Sequence, residues 1–408
     1  MDTLPLPNLA QLWKFLHVVE QGSITRAAAA LLTSQPAVTR AIHDLEDQLQ
    51  VTVFERGPNG ILLTDAGQVV HSRTRRVFAE LMVAAQASGA GGHSGPDVRH
   101  LLNNRRLQIF VALRKSHQMQ VVGRQFNLTQ PAISLAIKSI EAGSGVTLFE
   151  RTSRGMQPTR AAVEMGYPLQ RALTELRHIR ADIDYMKGML GGVVHIGALP
   201  LGRTRILPEA VVRVVTKHPS IQVVTSESDF PTLANGMRAG EIDMIFGALR
   251  EEADEPECLG EPLLVEKMAV LARRDHPLVG ASPRLEQLLD YEWVLPRRDS
   301  PARHLLDSQF AAANLFSPRP IVETGDLAMI RGLLLRSDMI AAVSEHQLEH
   351  EIVSGELVPL AVELDGTYRT LGLTYRRNWL PSPAAQALAE SIRAVIAERG
   401  GEGGTGSG

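Results

Sequence analysis

The sequence predicts a multidomain α+β chain in which two winged helix-turn-helix domains precede a linker helix and a two-lobed α/β module. Three observations predict it. A segment recurs at a spacing of 95 residues, an apolar stripe at helical period follows the second copy, and the remainder alternates strand and helix in βαβ order.

At 408 residues the chain is too long for one core. Its single cysteine, Cys258, excludes an intramolecular disulfide and fits a reducing compartment. Residues 1–10 show no basic flank before a long apolar run, so no signal peptide is expected. No stretch reaches the ~18 apolar residues of a membrane span. The expectation is a cytoplasmic protein without membrane contact. The net charge of −3 conceals a split, because residues 97–160 hold ten Lys/Arg against three Asp/Glu. Residues 1–88 sit at −1 and residues 161–408 at −9. A basic segment inside an acidic chain points to nucleic acid.

The repeat needs no gaps. Gln35-Pro36-Ala37 meets Gln130-Pro131-Ala132, and Phe54-Glu55-Arg56 meets Phe149-Glu150-Arg151. Over residues 12–67 there are 16 identities in one register, which marks a duplication. Copy one occupies 1–88, a Gly/Ser linker 89–96, and copy two 97–163.

In copy one, Leu12, Phe15, Leu16 and Val19 give a first helix, ended by Gly22-Ser23 with Ser23 as the next N-cap. A short second helix is expected over 27–32. A third, over 35–49, starts at Thr33 or Ser34 with Pro36 in its first turn. Its inner face carries Val38, Ala41, Ile42 and Leu45, leaving Gln35, Thr39, Arg40 and His43 outside. Such polar residues on the second helix of the pair suit base edges and phosphates in the major groove. Strands over 51–56 and 60–63 form a wing, and a helix over 66–87 follows.

These residues resemble the LysR-type transcriptional regulators. The matches in copy one are Leu12, Phe15, Gly22, Ser23, Ala27, Ala28, residues 34–39, Leu45, Glu46, Phe54, Arg56, Thr64 and Gly67. Copy two matches at Leu107, Phe110, residues 129–134, Glu141, Leu148, Phe149, Arg151, Thr159 and Ala161. Most members have one such unit, so the tandem is a departure. The resemblance implies sequence-specific binding of double-stranded DNA under control of a small-molecule effector, with no cofactor, no metal and no catalysis. Candidate DNA contacts are Ser34, Gln35, Pro36, Thr39, Arg40, His43 and Arg56 in copy one. Thr129, Gln130, Ser134, Lys138, Arg151 and Arg154 are the candidates in copy two.

Copy two has decayed. His117-Gln118 replace the Gly-Ser turn, Leu135 replaces Arg40, and its third helix ends in the weak helix former Ala142-Gly143-Ser144-Gly145. It keeps the positive charge and the wing Arg151-Thr152-Ser153-Arg154. The expectation is a division of labour: copy one reads bases, and copy two grips the backbone or forms a dimer surface. The opposing reading makes copy two a structural relic.

Leu169, Leu173, Leu176, Ile179, Ile183, Met186 and Leu190 then form a stripe at helical spacing over 164–190. In the family this is the linker that pairs two subunits, so a homodimer or homotetramer is expected, with RNA polymerase as a further partner if the protein activates. Residues 191–399 read as an effector domain of two α/β lobes, similar to periplasmic binding proteins, and 400–408 as a disordered tail. Ligands of such folds lie at strand C-termini and helix N-termini. The candidates are Pro200, Leu201, Gly202, Arg203, Thr204, Gly247, Ala248, Arg297, Ser300, Arg303 and Thr324, with Arg203 and Arg303 favouring a carboxylate such as an aromatic-catabolism intermediate.

Two motifs are declined. Gly197-x-x-x-x-Gly202-Arg203-Thr204 lacks the lysine of a P-loop, and His346-Gln347-Leu348-Glu349-His350 has no third ligand for zinc. The competing function classes are a ligand-binding protein whose N-terminal units serve only assembly, and an enzyme built on the lobes.

Overall fold

The computed structural model describes residues 6–57, 60–87, 97–250, 255–298 and 300–402. The 89–96 linker, the wing-tip pair Pro58-Asn59 and most of the 400–408 tail lie outside them. One compact unit is Met1–Gly192 with Arg238–Glu241 and Ser382–Ala384; the rest of the chain forms the second.

Copy one comprises α1 (Leu9–Gln21), α2 (Ile24–Ala30), α3 (Gln35–Leu49), β1 (Phe54–Gly57), β2 (Gly60–Leu63) and α4 (Asp65–Ala87). Copy two comprises α5 (Asn104–Ser116), α6 (Met119–Phe126), α7 (Gln130–Ser144), β3 (Phe149–Thr152), β4 (Gly155–Pro158) and α8 (Arg160–Met186). Every element of the second set begins 95 residues after its counterpart. The second helix lies earlier than expected, at 24 rather than 27, because the Ser23 hydroxyl accepts from Arg26 N and starts the helix at once.

Residues kept in both copies hold the same bonds. The Glu46 carboxylate accepts from Val53 N at 2.8 Å, and Glu141 from Leu148 N at 2.7 Å, tying each recognition helix to its wing. Thr64 donates to Thr52 O at 2.6 Å and Thr159 to Thr147 O at 2.9 Å. The ring pairs Phe15–Phe54 and Phe110–Phe149 lie 5.2 and 5.5 Å apart. The lost Gly-Ser turn is tolerated because His117 adopts the left-handed conformation of Gly22, with φ of 59° against 62°. Helix α7 also survives its poor formers, and Gly143 has a packing reason: a Cβ there would fall 2.2 Å from His100 Cβ.

Helices α4 and α8 pack antiparallel. Arg73, 1% exposed, bonds Glu175 at 2.8 Å and Asp182 at 2.7 Å. Arg76 meets Glu175 and Arg171 meets Glu80, each at 2.7 Å. The stripe Leu169, Leu173, Leu176, Ile179 and Ile183 is buried within this chain. It is therefore not the open face for a second subunit that the sequence suggested, because α4 already covers it.

The second unit holds two sheets. In the first lobe the order is β6-β5-β7-β14-β8, formed by β5 (Gly192–Ala198), β6 (Ile221–Ser226), β7 (Met244–Ala248), β8 (Cys258–Glu266) and β14 (Arg369–Arg376). In the second it is β11-β10-β12-β9-β13, formed by β9 (Met268–Arg273), β10 (Trp293–Leu295), β11 (Pro320–Glu323), β12 (Ile340–Ser344) and β13 (Leu357–Pro359). Helices α9 (Ile206–Lys217), α10 (Phe230–Arg238), α11 (Pro301–Ala312), α12 (Leu327–Leu334), α13 (Glu349–Val353) and α14 (Pro383–Glu402) complete it. The chain leaves the first lobe after β8 and returns in β14, which inserts between β7 and β8. Strands β8 and β13 were not read from the sequence.

His178, beside this ion network on α8, is held neutral: burial first, then the positive charge of Arg73, lowers its pKa from 6.5 to about 3. Unfolded chains take up this proton below about pH 6.5 and the native chain does not, so stability drops as pH falls. Between about pH 6.5 and 5 this group should cost about 2 kcal/mol. Urea unfolding of the full chain against His178→Leu checks it; the expected result is a flatter pH slope in the variant.

Candidate nucleic-acid interface and ligand site

The predicted DNA residues form an exposed surface in each copy. On α3, Ser34 caps the helix by accepting from Ala37 N, and Gln35, Pro36, Thr39, Arg40 and His43 are exposed, with Val38, Ala41, Ile42 and Leu45 buried behind them. Thr39 donates to Gln35 O at 3.1 Å and His43 pairs with Asp47 at 3.3 Å. Arg40 and, on the wing, Arg56 are exposed and carry no ion pair among the described residues. On α7, Thr129, Gln130 and Lys138 are exposed and Ser134 is half-buried. Leu135 stands where copy one has Arg40 and is 71% exposed, an apolar side chain on the outer face of the helix. Arg124, Lys138, Arg151 and Arg154 are exposed without ion pairs among the described residues; over the same elements copy one has three such cations, Arg26 on α2, Arg40 and Arg56. Arg124, on α6, was not among the residues read from the sequence.

The ligand candidates gather at carboxyl ends of strands. Pro200, Leu201 and Gly202 form a short 3-10 turn after β5, with Arg203 and Thr204 next. Gly202 allows the close approach of Phe246, whose Cδ1 would lie 2.4 Å from a Cβ. Thr204 donates to His346 O at 3.4 Å, and Arg205 pairs with Glu349, so the residues of the declined zinc motif bridge the lobes instead. Gly247 and Ala248 end β7. In the second lobe Ser300 caps α11, while Thr324 donates its N–H to Leu295 O and accepts from Asp326 N. Arg297 is exposed and helps to lower the pKa of Asp229, after the hydrogen bond from Thr232. Arg303 is 3% exposed and its guanidinium is engaged inside its own lobe, by Asp307 at 2.8 Å and Pro318 O at 3.3 Å.

A group at the lobe crossover was missed. Glu266, at the end of β8 and 3% exposed, accepts from the Ser344 hydroxyl at 2.5 Å, and its Oε1 is buried without a partner. Opposite it in register stands Arg369, whose Nε and Nη2 are likewise buried and unpartnered. Burial lowers the Arg369 pKa against the attraction of Glu266. No motif announces this cluster, because it joins three segments that meet only where the chain crosses between lobes.

Two heads with exposed recognition helices, joined to a two-lobed α/β module, define a DNA-binding regulator with a sensing domain. The family model described as bacterial regulatory helix-turn-helix protein, lysR family, matches twice, at residues 9–68 and 104–163, and that of the LysR substrate binding domain matches residues 187–397. HTH-type transcriptional regulator GalR of Pseudomonas putida is 50% identical over 399 residues, 98% of this chain and 100% of its own. HTH-type transcriptional regulator PcaQ of Agrobacterium fabrum is 29% identical over 300 residues, covering 95% of itself but 72% of this chain. A full-length OxyR variant from Pseudomonas aeruginosa shares the fold with a TM-score of 0.57 at 23% identity, over 71% of this chain and 94% of its own. Full-length CbnR, in complex with its target DNA, does so with a TM-score of 0.52 at 19% identity, over 72% and 99%. The chain belongs to the LysR family of bacterial transcription regulators. It is a DNA-binding regulator with an effector-binding domain, not an enzyme, and no helix among the described residues is long and apolar enough to cross a membrane.

The helix-to-wing tie gives a matched test. Glu46→Ala and Glu141→Ala each remove a carboxylate that accepts a part-buried backbone N–H, and each should destabilise its own head by about 1–3 kcal/mol. Hydrogen exchange at Val53 and Leu148 reads the two heads separately.

Proposed function

We propose that copy one reads base sequence while copy two adds backbone grip, and that a small organic acid held between the lobes controls the regulator. One observation carries the division of labour. At the matching exposed position of the recognition helix copy one has Arg40 and copy two has Leu135, whereas copy two keeps Arg151 and adds Arg154 on its wing and Lys138 at the position of His43. Arginine bonds base edges and leucine cannot, while phosphate contacts need only charge. The protein works in the cytoplasm as a homodimer or homotetramer, with RNA polymerase as a partner where it activates.

The effector reading rests on the crossover cluster. Two buried guanidinium nitrogens of Arg369 lack acceptors and one oxygen of Glu266 lacks a donor. A carboxylate that also carries a hydroxyl supplies both, and buried polar groups left open are costly. Pro200 to Thr204, Gly247, Ala248, Arg297, Ser300, the remaining donors of Arg303 and Thr324 would line the rest of the site.

Arg40→Ala should weaken binding to a selected duplex about tenfold to a hundredfold and leave random DNA unaffected. Arg151→Ala with Arg154→Ala should weaken both alike and reduce the salt slope by about two. Filter binding at several salt concentrations measures this; relaxed sequence preference in the second variant alone would overturn the assignment. For the effector, a panel of aromatic hydroxy acids should include one that raises the melting temperature of the full chain. Arg369→Gln should abolish that rise, and an undiminished rise would remove Arg369 from the site.

A further inference from the structure

We infer that the two copies form a two-headed DNA-binding unit within one chain, so that a single polypeptide supplies both heads that grip the two halves of an inverted-repeat duplex. This goes beyond the assignment of roles to the copies and does not depend on which one reads bases.

The argument rests on reciprocity. Under the 95-residue shift Arg76 corresponds to Arg171 and Glu80 to Glu175. The observed pairs are Arg76–Glu175 and Arg171–Glu80, both at 2.7 Å, so each copy's arginine takes the other copy's glutamate. A contact in which residue i meets j while j meets i is the signature of a two-fold interface. The apolar surfaces agree. Thr74, Val77, Phe78 and Leu81 are buried on α4, and their counterparts Leu169, Ala172, Leu173 and Leu176 are buried on α8. Equivalent positions also touch at the other end of the heads, where Asn104 Oδ1 accepts from Leu9 N at 3.0 Å. Leu9 and Asn104 are themselves 95 apart, and equivalent residues meet only close to a two-fold axis.

The pairing is therefore that of a dimer made from one chain. Two heads related by a two-fold present their recognition helices to half-sites of opposite orientation, spaced by whole helical turns. The relation is imperfect at the Arg73 contact. Arg73 of α4 is bonded to Glu175 and Asp182; Asp182 corresponds to Ala87 in α4, and Arg73 to Pro168 in α8. That substitution removes the second buried arginine, and it fixes which copy supplies it.

Cis and trans combinations of charge reversals test the inference. Glu80→Arg and Arg171→Glu should each lower the melting temperature of the full chain and weaken its binding to duplex selected from random sequence more than about tenfold. The two changes in one chain should recover most of both losses. Co-expression of the two single variants should recover neither. Arg171 also donates to Arg238 O at 2.9 Å, but that loss is common to every protein carrying Arg171→Glu. Rescue by co-expression would overturn the inference, since it requires α4 and α8 to pair between chains. The selected duplex supplies the second arm: two half-sites in inverted orientation support the inference, and one unrepeated site sinks it. If the parent chain holds no duplex at low salt, the two-headed grip on DNA fails, and the melting arm still reports whether the copies pair in cis.

Discussion

The interface between α4 and α8 is the constraint on which the N-terminal half depends. Each helix presents an apolar stripe edged by charge, and its own head covers only part of that stripe, as where Trp13 of α1 meets Phe78 of α4 with ring centroids 4.9 Å apart. Antiparallel pairing buries both stripes and places Arg73, Arg76 and Arg171 against Glu175, Asp182 and Glu80. Burying Arg73 at 1% exposure is tolerable only because two carboxylates meet its guanidinium. Burial pushes the Glu175 carboxyl up, but Arg73 and Arg76 outweigh it and hold it below its ordinary value. At Asp182 burial wins and the pKa rises. The network thus specifies register more than it adds stability. A slip of one turn would strand a buried charge, whereas the leucines and valines alone would accept several registers.

Most of the fold was legible because each level of the sequence agreed with the next. Helical period, N-caps and turn residues placed α3 at its observed bounds and both sheets of the second unit in βαβ order. Two strands escaped. β13 is three residues long, and β8 lies antiparallel at a sheet edge behind the Glu/Asp-rich stretch before Cys258. Of the α8 stripe, Leu169 to Ile183 are buried, but Met186 is 45% exposed and Leu190 lies beyond the helix, which spans Arg160–Met186 rather than 164–190; the family's linker role also put a second chain where α4 lies. The signal that would have corrected this was present: Arg76-x-x-x-Glu80-Leu81 recurs as Arg171-x-x-x-Glu175-Leu176, beyond the last residue compared. The exposed face of α3 was legible because its residues are local on one helix. The Glu266, Ser344 and Arg369 cluster was not, because spacing in sequence carries no information about three strands that meet at a crossover.

Duplication separates two constraints that a single copy must satisfy together. The positions that survive in both copies, Glu46 and Glu141, Thr64 and Thr159, or the paired phenylalanines, hold helix to wing. Outward positions have diverged, from Arg40 to Leu135 and from His43 to Lys138. In a dimer of identical chains any change at a base-reading position appears in both heads at once. Within one chain the second head can lose a base contact and gain phosphate contacts without altering the first. Affinity and specificity can then be adjusted on different surfaces, which is possible because they arise from different chemistry.

The same logic bears on control. With both heads in one chain there is one effector domain for each pair of heads. A ligand can shift a regulator only through a difference in its free energy of binding to two states. In a dimer of single-headed chains two such domains would bias one pair of heads, whereas a two-headed chain brings one domain to its pair. The buried, unsatisfied groups at the crossover suit that demand. On the proposed reading, a ligand that completes the hydrogen bonding of Arg369 and Glu266 would gain only where Ser344 of β12 also meets Glu266 of β8. Polar groups buried without partners are costly until a partner arrives, so on that reading the coupling would be concentrated at a single site.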